Sequence, residues 1–235
     1  MELSNSVALV TGANRGIGRR FAEQLIARGA KVYATARTPE AFTLPGAQVL
    51  GLDITDAASV AAAAAAAPDV TLLVNNAGVS TYHNLVTGDL DKIRLEMDTH
   101  YYGTLHMVRA FAPVLGRNGG GAILNVLSAL SWFSYDGANA YAAAKAAEWS
   151  LTNGIRLELA KQGTLVTGLH LGAADTDLMA GYDGPLLDPA EVARIALDGL
   201  EAGKIEVLVD DWSAQVKAAL AADPSVFYFP TVPER

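Results

Sequence analysis

The chain has 235 residues, 51% of them hydrophobic and 18% charged, which supplies enough apolar surface for a sizeable core and argues against disorder. Its 25 acidic residues outnumber its 17 lysines and arginines by eight, so a nucleic-acid partner held by bulk charge is excluded as the first reading. With no cysteine, disulfides, thiolate nucleophiles and cysteine-ligated metals are excluded as well.

Met1–Asn5 carries no basic-then-apolar leader and no apolar run is long enough for a bilayer, so a cytoplasmic protein without a membrane partner is expected. Short β-branched runs alternate with longer Ala- and Leu-rich segments, the pattern of βαβ units around a parallel sheet. Strands are predicted at Val7–Thr11, Lys31–Thr35, Gln48–Leu52, Val70–Asn75, Ala122–Leu127, Leu165–Leu171 and Ile205–Val209, each nearly all apolar, as strands buried on both faces should be. Helices are predicted at Ile17–Arg28, Asp56–Ala67, Leu90–Gly116, Ala140–Lys161, Asp188–Ala202 and Asp211–Ala222, with Pro and Gly gathered at their ends. No linker or repeat interrupts them, so residues 1–235 read as a single α/β domain, a doubly wound sheet of about seven parallel strands with helices on both faces.

After the first strand comes Thr11-Gly12-Ala13-Asn14-Arg15-Gly16-Ile17-Gly18. Glycines let the backbone turn tightly and approach a pyrophosphate, and the helix that follows offers free N–H groups and a partial positive charge. A glycine-rich turn can be structural, but between a first strand and a first helix it points to a Rossmann-type dinucleotide site. An NAD-type site would place an acid on the ribose 2′-hydroxyl about 20 residues on, and Gln24 to Pro39 contains none. Arg37 ends the second strand and Arg15 sits in the loop, so two guanidinium groups can meet a 2′-phosphate there. NADP(H) is therefore expected over NAD(H), against the plainer reading of two solvated arginines.

Further along, Asp53 and Thr55 follow the third strand, where either can cap the next helix. Ser128 follows the fifth strand, at the end of the sheet where open α/β folds present ligand groups. Tyr141 and Lys145 stand four apart on one helical face, so an ammonium can act on a phenol whose ordinary pKa is about 10. Ala129–Tyr135, with Leu130 and Tyr135, can supply an apolar wall beside Tyr82 and His83, and Tyr182 and Leu186 on the irregular stretch at about 173–187 can close it. The histidines show no metal-ligand spacing, and no metal is expected.

The glycine loop, Leu52-Asp53-Ile54-Thr55, Asn75-Asn76-Ala77-Gly78, Ser128 and Tyr141-Ala142-Ala143-Ala144-Lys145, in that order, resemble the classical short-chain dehydrogenase/reductase family over almost the whole chain. The resemblance implies that Ser128, Tyr141 and Lys145 are catalytic and that Lys145 also holds the nicotinamide ribose. It implies a carboxylate at Asp53 for the adenine amino group, with Ile54 beside it, and a cofactor-lining role for Asn76, Ala77 and Gly78. Gly172 and Thr176 match the residues near the nicotinamide amide. Two positions depart from the family pattern: His100 stands where the family has an Asn of a water-linked proton relay, and Leu171 stands where it has a proline. His100 either replaces the relay element, leaves relay to its backbone carbonyl, or fills space.

The resulting expectation is an NADP(H)-dependent carbonyl reductase or alcohol dehydrogenase, acting on a neutral, fairly apolar ketone or aldehyde with Tyr141 as acid or base. A homodimer or homotetramer through Leu90–Gly116 and Ala140–Lys161 is implied by the resemblance. The tail from Asp211, with Trp212, Phe227, Tyr228 and Phe229, can pack on its own subunit or on a partner's. The alternative is a silent NADP(H)-binding sensor or scaffold. An epimerase or dehydratase is disfavoured because only sixty-four residues follow the sixth strand, from Gly172 to Arg235.

Overall fold

The computed structural model describes residues 1–228, and Phe229 with the rest of the tail lies outside them. Seven parallel strands form one sheet in the order β3-β2-β1-β4-β5-β6-β7. They are β1 (Val7–Val10), β2 (Lys31–Ala36), β3 (Ala47–Gly51), β4 (Leu72–Asn75), β5 (Ala122–Val126), β6 (Leu165–His170) and β7 (Glu206–Leu208). The helices are α1 (Gly16–Ala27), α2 (Ala57–Ala66), α3 (Leu90–Met97), α4 (Thr104–Arg117), α5 (Asn139–Glu158), α6 (Pro189–Glu201), α7 (Asp211–Ala219) and α8 (Pro224–Tyr228).

Successive side chains of a strand point to opposite faces, and this splits the core in two. Ala8, Val10, Leu72, Val74, Leu124 and Leu169 pack under Phe21 and Leu25 of α1 and Val192 and Leu197 of α6. Leu9, Leu73, Ile123 and Val166 face the other way, under Val60 of α2, Phe111 of α4 and Leu151 of α5. A fully buried Leu, Ile or Phe of this kind contributes about 1.5–3 kcal/mol. The expected burial on both faces fails at the two edge strands: β3 pairs with β2 alone and leaves Gln48 and Gly51 exposed, and β7 pairs with β6 alone and leaves Glu206 and Leu208 only partly buried.

The predicted single helix from Leu90 to Gly116 is interrupted. Asp98–Gly103 forms a π-helical segment between α3 and α4. Such wider turns re-aim side chains within a helix, and this one carries His100. The last predicted helix, Asp211–Ala222, ends earlier as α7 at Ala219, and a further short helix, α8, opens at Pro224 beyond it. Aspartates at 56, 89, 188 and 210 accept backbone N–H bonds at the starts of α2, α3, α6 and α7. Asp56 is thus the cap of α2, a place the sequence reading gave to Asp53 or Thr55.

Strand β1 lies between β2 and β4, so the connections leaving β1 and β4 depart in opposite directions. A crevice opens at the carboxyl ends of such strands, where Thr11, Asn75 and Ser128 emerge.

Candidate active site

A cleft of about 1040 Å³ occupies that crevice. It is lined by Gly12, Asn14, Arg15, Gly16 and Ile17 from the turn into α1, and by Arg37, Asp53, Ile54, Asn76, Ala77 and Gly78 from the ends of β2, β3 and β4. His100, Ser128, Tyr141, Lys145, Gly172 and Thr176 complete its inner end, with Leu130, Tyr135 and Tyr182 at the outer wall. One member of the predicted cofactor-binding set stands outside. Gly18 is packed behind the turn, where a Cβ would meet the Gly12 carbonyl oxygen at 2.2 Å and the Asn76 amide nitrogen at 2.4 Å. Its place in the motif is to let α1 approach the sheet rather than to face a ligand.

The turn fits an anionic dinucleotide. Helix α1 begins at Gly16 with no side-chain cap and no acid in its first turn, which leaves its first N–H groups facing the cleft with the positive end of the helix dipole. Asn76 holds the turn from behind, its side chain donating to the Thr11 carbonyl at 3.0 Å while the Thr11 hydroxyl accepts from the N–H groups of Asn76 and Ala77, both at 2.9 Å. The Asp53 carboxylate accepts from the Thr55 N–H and hydroxyl at 2.9 and 2.7 Å. Partial burial works against its charge, but those bonds and the nearby Arg37 hold the carboxyl below the usual range. Arg15 pairs with Asp177 and the Tyr82 hydroxyl donates to the Leu178 carbonyl, so one contact ties the 173–187 stretch to the start of α1 and the other to the loop after β4. The Thr176 hydroxyl donates to the Ala174 carbonyl at 3.3 Å.

At the inner end, the Ser128 hydroxyl accepts from the Leu130 N–H at 3.1 Å and borders the cleft together with Tyr141. Lys145 is buried, donating to the Val126 carbonyl and to the Glu148 carboxylate, both at 2.7 Å. Glu148 also accepts from the Thr104 hydroxyl at 2.9 Å. The His100 ring stands edge-on to Tyr141, with centroids 5.1 Å apart, and its Nε2 lies 2.8 Å from the Val79 carbonyl. The same Nε2 lies 3.4 Å from the Val79 amide nitrogen, so it donates to the carbonyl or accepts from the N–H according to the tautomer, the carbonyl contact being the shorter. Gly78 makes room for this ring, since a Cβ there would sit 2.6 Å from His100 Cε1. Burial is the largest influence on the Tyr141 phenol and pushes its pKa up. Lys145 and Ser128 oppose it, Glu148 and Glu96 add to it, and the net direction is upward. The spacing of Tyr141 and Lys145 in the sequence shows the ammonium that favours the phenolate but not the buried carboxylates that answer it.

The outer wall is aromatic. Phe133 and Trp212 line the cleft, and Phe227 packs on both, with ring centroids at 4.7 and 6.4 Å. The described part of the tail therefore packs on its own chain. Trp132, His83 and Leu186 do not border the cleft: Trp132 stacks on buried His170 at 3.7 Å, and His83 Nδ1 lies 2.5 Å from the Thr81 carbonyl. His170 Nδ1 lies 3.0 Å from the Ser128 carbonyl, and burial lowers its pKa to about 4. Among the described residues no group of three His, Asp or Glu side chains is arranged to hold a metal, and no helix is long and apolar enough to cross a membrane.

Comparison with known proteins agrees with this layout. The family model for short chain dehydrogenase matches residues 6–184. An uncharacterized oxidoreductase of Staphylococcus saprophyticus is 30% identical over 86% of this chain and 93% of its own length. A 3-oxoacyl-[acyl-carrier-protein] reductase of Vibrio harveyi is 32% identical over 82% of this chain and 88% of its own. The crystal structure of a short chain dehydrogenase from Burkholderia cenocepacia in complex with NADP superimposes with a TM-score of 0.94 at 37% identity, covering all of both chains. One from Burkholderia phymatum in complex with NAD gives 0.82 at 25% identity, over 100% of this chain and 99% of that one. The chain belongs to the short-chain dehydrogenase/reductase family of Rossmann-fold oxidoreductases.

Proposed function

We propose that the protein is an NADP(H)-dependent carbonyl reductase, and in reverse an alcohol dehydrogenase, in which residues 1–235 act as one cofactor-binding and catalytic unit. The observation that carries this reading is the meeting of Ser128, Tyr141 and Lys145 at the inner end of a cleft whose other end is an uncapped helix start. When bound, the nicotinamide supplies or receives the hydride. Tyr141 gives its phenolic proton to the substrate oxygen as the carbonyl carbon is reduced, and Ser128 donates a hydrogen bond to the same oxygen as charge develops on it. Lys145 orients the ribose and offsets the charge left on Tyr141.

The phosphate end of the cleft supports NADP(H). Arg37 borders the cleft beside Asp53, and Arg15, though it pairs with Asp177, is largely exposed and free to turn. The Burkholderia cenocepacia protein, similar over its whole length, binds NADP. The wall of Leu130, Phe133, Tyr135, Tyr182 and Trp212 suits a neutral, fairly apolar ketone or aldehyde. Exposed Leu90 and Tyr102, on α3 and the π-helical segment, support self-association as a homodimer or homotetramer.

The test is oxidation of NADPH, beside NADH, over a panel of aliphatic, aryl and cyclic carbonyls and small charged keto acids. Neutral carbonyls should give the highest kcat/KM with NADPH, and Arg37→Asp should narrow the NADPH preference about tenfold. A charged keto acid as best substrate, or equal use of NADH, would overturn the reading.

A further inference from the structure

Two buried carboxylates have no part in the chemistry just described. Glu96 on α3 is fully buried. Its Oε1 accepts from the Thr81 N–H at 2.5 Å, and its Oε2, with no hydrogen-bond partner among the described residues, faces His100 Nε2 at 3.4 Å. Glu148 on α5 binds Lys145 and Thr104, and its Oε2 faces His100 Nδ1 at 3.8 Å. That Nδ1 is buried and also without a hydrogen-bond partner. The imidazole therefore stands between two carboxylates, edge-on to Tyr141. Two acids gathered around one lysine and one imidazole are a costly arrangement to bury, and because the lysine and the imidazole both stand against Tyr141 it calls for a functional explanation.

Resting on the reading above, we propose that Glu148, with Glu96 behind it across His100, is a positioning residue that answers the Lys145 ammonium and so keeps Tyr141 in its neutral, proton-donating form. The groups facing Tyr141 are Lys145 and Glu148 from α5, Glu96 from α3, His100 from the π-helical segment and Ser128 from the loop after β5. Of these, Lys145 favours the phenolate by charge and Ser128 by hydrogen bonding, while the two carboxylates oppose it. Reduction needs the phenol and oxidation the phenolate. The two carboxylates accordingly bias the site toward the proton-donating form that carbonyl reduction needs.

The test is the ultraviolet absorbance of tyrosinate in the cofactor-free protein. The difference between each protein and its Tyr141→Phe partner isolates Tyr141. Glu148→Gln keeps the shape and an acceptor for Lys145 but removes the charge. Tyr141 should ionise above the ordinary phenol value of about 10 in the unaltered protein, and at least about one pH unit lower in Glu148→Gln. Glu96→Gln, which keeps an acceptor for the Thr81 N–H, should move it the same way by less and serves if Glu148→Gln does not fold. An unchanged Tyr141 titration in a folded variant overturns the proposal. Because no turnover is required, that result leaves the reductase reading standing, whereas absent turnover beside a shifted titration would count against the reductase alone.

Discussion

The two ends of the cleft are built from opposite materials. The α1 end relies on backbone N–H groups and on exposed charges, with Arg15 64% and Asp177 70% exposed at the side chain. The α5 end buries its charges, with Lys145, Glu148 and Glu96 at 5%, 2% and 0%. Exposed pairs contribute about 0–1 kcal/mol and can open and re-form as a ligand enters. Buried ones cannot be removed singly without leaving a partner unpaired in the interior. One end is suited to admitting a charged ligand and the other to holding a proton at one atom.

Removing a single buried partner should break this contrast most strongly. Lys145→Ala leaves buried Glu148 without its cation, and should lower unfolding free energy by about 3–5 kcal/mol, read from urea unfolding. A loss below about 1 kcal/mol would place the α5 end in the same class as the α1 end.

A smaller effect is expected from His170, which fastens the Ser128 backbone from behind. Its folded pKa of about 4 lies below the ordinary 6.5. Above pH 6.5 both folded and unfolded states hold it neutral, and between 6.5 and 4 the unfolded chain takes a proton that the folded one refuses. Stability therefore falls as pH drops through that window, by about 3 kcal/mol in all. Urea midpoints measured across it should fall less steeply in His170→Gln, and identical slopes would show that the imidazole is not held neutral.

The sheet and the α1 end were legible in the sequence because their signals are local: apolar runs for strands, glycines at a turn, and Arg37 where an acid would otherwise stand. Gly18 fell on the wrong side because spacing marks it as a motif member without saying that it faces the helix–sheet contact. The α5 end was legible only in part. Tyr141, Lys145 and Glu148 share one helical face, as do Glu96 and His100, and that spacing could have drawn the glutamates in. Their joining, however, depends on the π-helical segment at Asp98–Gly103, which has no sequence signature of its own, and on α3 and α5 meeting across the cleft floor. Trp212 and Phe227 reach Phe133 from near the end of the chain, a long-range contact that periodicity does not encode.

The most direct measurement is NADPH oxidation with the best carbonyl of the panel in Tyr141→Phe, alongside NADPH binding by fluorescence. If Tyr141 gives the proton, turnover falls by about 10²–10⁴-fold while NADPH binds with its affinity nearly unchanged. Turnover retained within about threefold would place the proton donor elsewhere and contradict the assignment of Tyr141.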